Sequence, residues 1–132
     1  LGWEVDAGPE IILGSFDISG VPFEWGLMAR GLLAFGSASG FASWTDWGVA
    51  PMATLHWGTD FGSGLKFEFY GALGLGLYGT TGTYYSFTGG PFIGFAGALG
   101  AAWHFADNFA LILDYAYVGW TGVYGIGLKV NI

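Results

Sequence analysis

Leu65 to Tyr78 reads LKFEFYGALGLGLY. Its odd positions are Leu65, Phe67, Phe69, Gly71, Leu73, Leu75 and Leu77, and its even positions are Lys66, Glu68, Tyr70, Ala72, Gly74, Gly76 and Tyr78. Successive side chains of a strand leave on opposite faces, so this period of two predicts a strand with one bulky apolar face. The other face carries ions and small residues.

The same parity recurs on both sides of this stretch. In Phe23 to Phe35, the residues Phe23, Trp25, Leu27, Ala29, Leu33 and Phe35 alternate with Glu24, Gly26, Met28, Arg30 and Ala34, and both charges share one face. Val123 to Ile132 sets Tyr124, Ile126, Leu128, Val130 and Ile132 against Gly125, Gly127, Lys129 and Asn131. Phe109 to Val118 sets Phe109, Leu111, Leu113, Tyr115 and Tyr117 against a face carrying Asp114. Weaker contrast marks 47–57, where Pro51 argues against a central ladder position because proline lacks the N–H, and 91–105. At the N-terminus Trp3, Val5 and Ala7 alternate with Glu4, Asp6 and Glu10 until Gly8-Pro9 interrupts, which leaves one bent strand or two short ones.

Composition says what surrounds these strands. The 132 residues are 53% hydrophobic and 20% aromatic but only 10% charged, with a formal net charge of −7. Soluble domains average about 25% charged residues, and disorder requires low hydrophobicity with high charge. Disorder is excluded, and lipid is the expected solvent for part of the surface. The 26 glycines disfavour long helices, at roughly 1 kcal/mol per interior Gly relative to Ala. No apolar run reaches the ~20 residues of a spanning helix. Gly89 to Trp103, uncharged for 15 residues, comes nearest and leaves a short helix as the competing reading there. Cys is absent, so neither disulfides nor thiolate metal sites are expected. No basic and apolar export signal opens the sequence, and Leu1 reads as the start of a processed or trimmed chain.

Gly58 to Gly64 and Ala106 to Asn108 read as tight turns, while Gly36 to Asp46 and Gly79 to Gly90 read as longer loops. Short connections at one end and long ones at the other are how bacterial membrane barrels are built. A lipocalin-type barrel also alternates, but with its apolar face inward. Here the bulky face is the other one, so the expectation is a single domain, 1–132, all-β, folded as a closed antiparallel up-and-down transmembrane β-barrel of eight strands. Two aromatic belts agree with that: Phe23, Trp25, Trp57, Phe61, Trp103, Phe105 and Phe109 fall near the tight-turn end. Phe41, Trp44, Trp47, Tyr78, Tyr84, Tyr85, Tyr117, Trp120 and Tyr124 fall near the loop end.

Gly100 to Tyr117, GAAWHFADNFALILDYAY, resembles the penultimate hairpin of the small outer-membrane barrel family that includes opacity-type and OmpA-type proteins. A strand ends in an aromatic, an Ala-Asp-Asn turn follows, and the next strand carries the pair Asp114-Tyr115. The terminal GIGLKVNI resembles that family's assembly signal through Gly127, Val130 and Ile132, and departs from it in ending on Ile132 where an aromatic is usual. The resemblance implies a bacterial outer-membrane location, membrane lipid and the outer-membrane assembly machinery as partners, and architecture rather than activity. Other envelope proteins or further copies of the chain are the remaining partners to consider.

Parity and resemblance together place Glu4, Asp6, Glu10, Glu24, Arg30, Lys66, Glu68, Asp114 and Lys129 inside, as an ion network that plugs the core. An eight-stranded barrel is nearly filled by its own side chains, so no open pore through the monomer is expected. His56 and His104 lie near the tight-turn ends of their strands without metal-ligand spacing, and neither a metal nor a cofactor is expected. No nucleophile-and-base arrangement marks an enzyme. Trp44, Trp47, Tyr84, Tyr85 and Trp120 are the candidates for contact with a hydrophobic or glycan ligand, the alternative role to a structural, anchoring or interaction one. With all three bases inward, no basic patch is offered to nucleic acid.

Counting back from Ile132 gives strands near 122–132, 109–118, 91–105, 64–78, 47–57 and 23–35, and a single strand before residue 14 would make seven. Even counts are usual. The count of eight therefore needs either a hairpin at Gly8-Pro9, dividing Gly2–Ala7 from Glu10–Ile18, or a strand from upstream of Leu1 or from a neighbouring chain.

Overall fold

The computed structural model describes the backbone of residues 2–38, 42–60, 66–82 and 88–130, with side chains over 7–37, 43–58, 66–82 and 89–130. Eight strand segments follow one another: β1 (Gly2–Ala7), β2 (Glu10–Ile18), β3 (Val21–Ala38), β4 (Ala42–Asp60), β5 (Lys66–Gly82), β6 (Thr88–Ala106), β7 (Phe109–Val118) and β8 (Thr121–Val130). All belong to one antiparallel sheet, in which each of β3 to β8 pairs with its neighbour in sequence.

The sheet is seven strands wide, not eight. Both β1 and β2 pair with β3, β1 through Ala7↔Gly31 and β2 through Glu10↔Met28, so the register passes across Gly8-Pro9 unchanged. Pro9 has no N–H to give, yet its carbonyl still accepts from the amide of Ala29 at 3.0 Å. The proline therefore interrupts the strand without turning it, and of the two ways to reach eight strands the hairpin at Gly8-Pro9 is absent. Among the described residues the sheet is also not closed: β1–β2 and β8 are its two edges, each paired on one side only.

Strands are longer than expected where the sequence reads as loops. β3 to β6 run 18, 19, 17 and 19 residues, and they take in most of Gly36 to Asp46 and Gly79 to Gly90. Those stretches hold Trp44, Thr45, Thr80 and Thr81, aromatic and β-branched residues that pack well on a pleated surface. Strand pairing continues through them, as in Trp44↔Gly82 and Thr80↔Gly89. The alternation of short turns with long loops is thereby corrected: connections at both ends are two to five residues. The possible helix at Gly89 to Trp103 is part of β6. Pro51 does lie in a central strand, and the β4–β5 pairing has a gap between Val49↔Leu77 and Met52↔Gly74 where its missing N–H falls.

A two-residue connection joins β2 to β3. Ser19 and Gly20 both take positive φ, 53° and 84°, and Asp17 Oδ1 accepts the Gly20 amide at 2.8 Å. That is the backbone a two-residue hairpin requires.

Cross-sheet contacts show how far the sheet rolls. β3 and β7 are four strands apart, which in a flat sheet would be about 19 Å at ~4.8 Å per strand. Yet Arg30 Nη2 of β3 stands 2.7 Å from Asp114 Oδ2 of β7. The small-residue face is therefore the concave one and the bulky face the convex one. Leu73, Ile93, Phe95 and Ile126, on the convex face, are 71%, 77%, 75% and 78% exposed.

Candidate functional site

The concave interior has two zones. Toward the end where β3–β4, β5–β6 and β7–β8 connect, called here the loop end, it is filled by small apolar side chains. Ala50, Met52, Ala72, Ala96, Ala116 and Val118 form a buried cluster against which Met28, Tyr78 and Ile112 pack. A Cβ added at Gly48 would come within 2.8 Å of Val118 Cβ, and one added at Gly76 within 2.8 Å of Val118 Cγ1. Glycine is needed there because strands that are not neighbours in the sheet meet across the interior.

Toward the opposite, turn end the interior is ionic and roomy. Two groups of side chains cross it. In the deeper one, Asp114 Oδ2 accepts from both Arg30 Nη2, at 2.7 Å, and the Tyr70 hydroxyl, while Arg30 Nη1 donates to the same hydroxyl at 3.4 Å. Arg30 and Asp114 are each about 7% exposed through their side chains, and Tyr70 is buried. A carboxylate this enclosed needs its partners, and it has a cation and a hydroxyl.

In the outer group, the His56 ring lies between two carboxylates. Nε2 meets Glu10 Oε1 at 2.6 Å and Nδ1 meets Glu68 Oε1 at 2.6 Å. Glu68 also accepts from Lys129 Nζ at 2.6 Å and pairs through its second oxygen with His104 Nε2 at 2.7 Å. The chain of contacts Glu10–His56–Glu68–Lys129 starts on β2 and ends on β8, so it runs across the interior from one sheet edge to the other. The His56 ring also stacks on Tyr70, at 5.6 Å between centroids, which links the two groups.

Five of the expected interior ions are thus brought together: Glu10, Arg30, Glu68, Asp114 and Lys129. Glu24 lines the cavity without joining the network, and Lys66 is exposed beside the turn-end opening. Lys66 is therefore a fixed cation open to solvent, against the expectation that all three bases lie inside. The side chains of Glu4 and Asp6 fall outside the described residues. Sequence reading set aside both histidines, yet His56 bridges Glu10 to Glu68 and His104 pairs with Glu68 as well. The signal was parity: His56 shares its face with Met52 and Thr54, both buried. Among the described residues no cluster of three or more His, Cys, Asp or Glu is arranged to hold a metal ion.

Around these side chains is a cavity of about 1260 Å³, bounded by Glu10, Glu24, His56, Tyr70 and Lys129 and flanked by both edges of the sheet. A second space of about 680 Å³ lies at its turn-end opening, beside Lys66, His104 and Asp107.

The aromatic residues gather at the two ends. Phe16, Phe23, Trp57 and Phe69 form one run of ring contacts at the turn end, and Trp103, Phe105 and Phe109 another. At the loop end Tyr78, Phe92 and Trp120 meet, as do Tyr115, Tyr117 and Tyr124. Of the candidate ligand-contact residues, Trp44 and Trp120 are exposed and Trp47 is half-buried against Gly79, whereas Tyr84 and Tyr85 lie outside the described residues, as do Phe41 and Phe61. Of the terminal signal, Gly127 and Val130 are in β8, and Ile132 lies outside the described residues.

Compared with protein-family models, curated proteins and solved structures, the chain matches none.

Proposed function

We propose that the protein is an integral β-barrel protein of a bacterial outer membrane, with a structural, anchoring or protein-interaction role and no open pore through one copy. The observation that carries this reading is the inside-out placement of its side chains. Leu73, Ile93, Phe95, Leu99, Leu113 and Ile126 all stand outward and more than 60% exposed, while Arg30, Glu68 and Asp114 stand inward. Soluble monomers rarely expose contiguous apolar patches beyond a few hundred Å². Lipid is the solvent in which such a surface is stable.

Three further features support the reading. Aromatic clusters at opposite ends of the strands suit the two membrane interfaces. The resemblance of Gly100 to Tyr117 to small outer-membrane barrels points to the same compartment, with lipid and the assembly machinery as partners. The packed cluster around Met52 and Val118 favours anchoring over conduction, because solute entering from the turn end would meet it.

The test is extraction. The protein should leave membranes only with detergent and, once there, should keep a β-rich fold whose gel migration changes on heating. Leu73→Arg should then cost about 2–4 kcal/mol if the residue sits near the bilayer midplane. At a surface position facing water the same change would stay within ~0.5 kcal/mol. A protein that stays in solution without detergent and is indifferent to Leu73→Arg overturns the proposal.

A further inference from the structure

We infer that the gap between the two sheet edges is filled by one more β-strand, antiparallel to both edges and supplied by the polypeptide immediately before Leu1. It deepens the membrane reading and rests on it in one respect: lipid cannot satisfy the unpaired N–H and C=O groups of an open edge.

Direction decides what kind of strand fits. Strand β1–β2 starts at the loop end, where Gly2 pairs with Gly36, and runs to the turn end. β8 likewise starts beside the β7–β8 turn at the loop end and runs to the turn end. The two edges are therefore parallel to each other, as they must be in any up-and-down sheet of seven strands. Pairing them directly would make a parallel seam in a sheet that is otherwise wholly antiparallel. A strand running from the turn end to the loop end is antiparallel to both.

Connectivity decides where it comes from. Such a strand finishes at the loop end, beside the start of β1, so a connection as short as the others in this chain joins it to Gly2. A second copy offers only edges that run the same way as these when both copies sit in the membrane with one orientation. It would add parallel seams rather than remove one.

The gap itself has room for side chains. A Cβ at Gly127 would have nothing within 4 Å, and one at Gly125 would meet only Asp114 Oδ1, at 3.1 Å. Both edges border the same cavity, β2 through Glu10 and Ile12 and β8 through Gly125, Gly127 and Lys129. That cavity is acidic, with Glu10, Glu24, Glu68 and Asp114 against Arg30 and Lys129. The incoming strand accordingly alternates apolar residues facing lipid with small or basic residues facing the cavity.

The polypeptide should be taken as its own cells make it, isolated in detergent, and examined for backbone contacts by NMR with intact mass alongside. The expected result is a segment of about ten residues before Leu1 with that alternation. Its backbone should give cross-strand contacts to both β1–β2 and β8, and amide exchange along Val123–Lys129 should slow on the order of 100-fold against open chain. Four results overturn the inference: a polypeptide that begins at Leu1, a preceding segment without the alternation, contacts running directly from β8 to β1–β2, or edges that contact another molecule or nothing. Mixing labelled and unlabelled protein separates contacts within one copy from those between copies. The need for detergent is read independently, so failure of the membrane reading is not mistaken for failure of this one.

Discussion

At the loop end of the interior, Ala50, Ala72, Ala96, Ala116, Met52 and Val118 close the space with no charge at all, whereas at the turn end Glu10, His56, Glu68, Lys129, Arg30 and Asp114 hold it open with a cavity among them. The same rolled sheet supports both. Small residues let strands approach until backbone and side chain touch across the interior, so stability there comes from contact. Ions keep strands apart and must be paired with one another, so stability there comes from complementarity. The difference also follows the sheet edges, because the cavity borders β2 and β8 while the packed cluster is built from the central strands β4 to β7.

The largest effect should come from breaking a buried pair in the ionic zone. Arg30→Ala would leave Asp114 enclosed with only the Tyr70 hydroxyl, and should cost about 3–5 kcal/mol in reversible unfolding from detergent or vesicles. Replacing both by apolar residues of similar size, Arg30→Met with Asp114→Leu, should recover the part of that loss due to the unpaired carboxylate, while the buried Tyr70 hydroxyl still loses both of these partners. If the single change costs as little as the double, the pair contributes nothing and the contrast between the two zones disappears.

Much of this contrast was legible in the sequence. Even positions of Leu65 to Tyr78 run from Lys66 and Glu68 through Tyr70 to Ala72, Gly74 and Gly76, which is the change from ionic to small along one face. What parity could not supply was pairing across the interior: that Arg30 meets Asp114 depends on how far the sheet rolls, and rolling is a property of strands distant in sequence. Metal-ligand spacing says nothing of His56, and its parity with Met52 and Thr54 gives only its face; its partners lie 46 and 12 residues away. The strand count failed for a related reason. Gly8-Pro9 has turn chemistry, and only the shared partner β3 shows that the chain continues straight through it. Loops were expected where Ser, Thr and Gly are dense, but Thr and the aromatics among them extend the strands instead.

Glycines sharpen the comparison at intermediate size. Gly76→Ala places a methyl within 2.8 Å of both Ala50 Cβ and Val118 Cγ1, and overpacking of this kind should cost about 1–3 kcal/mol. Gly127→Ala meets open space, so in residues 1–132 it should be neutral or stabilise by up to ~1 kcal/mol, through the lost freedom of the unfolded chain. Equal costs at the two positions, measured by the same denaturant titration, would mean that the turn-end half is as closely packed as the loop-end half.

The smallest effect separates an essential pair from a redundant one inside the ionic zone. Lys129 lies at the outer rim with about 23% of its side chain exposed, and Glu68, which it contacts, still has His56 and His104 when the ammonium is gone. Water reaches the rim through the turn-end opening, so solvent replaces part of what Lys129 gave. Lys129→Met keeps the aliphatic stem and removes only the charge; it should cost no more than ~1 kcal/mol, the range of partly exposed pairs. The comparison is with Arg30, whose partner Asp114 has no second cation among the described residues. A cost for Lys129→Met as large as for Arg30→Ala would show that the chain Glu10–His56–Glu68–Lys129 acts as one unit, in which any member removed leaves the rest unpaired. The double variant Lys129→Met with His104→Gln distinguishes the cases: simple addition means that Lys129 and His104 act on Glu68 independently, and a total well above the sum means that each had been substituting for the other.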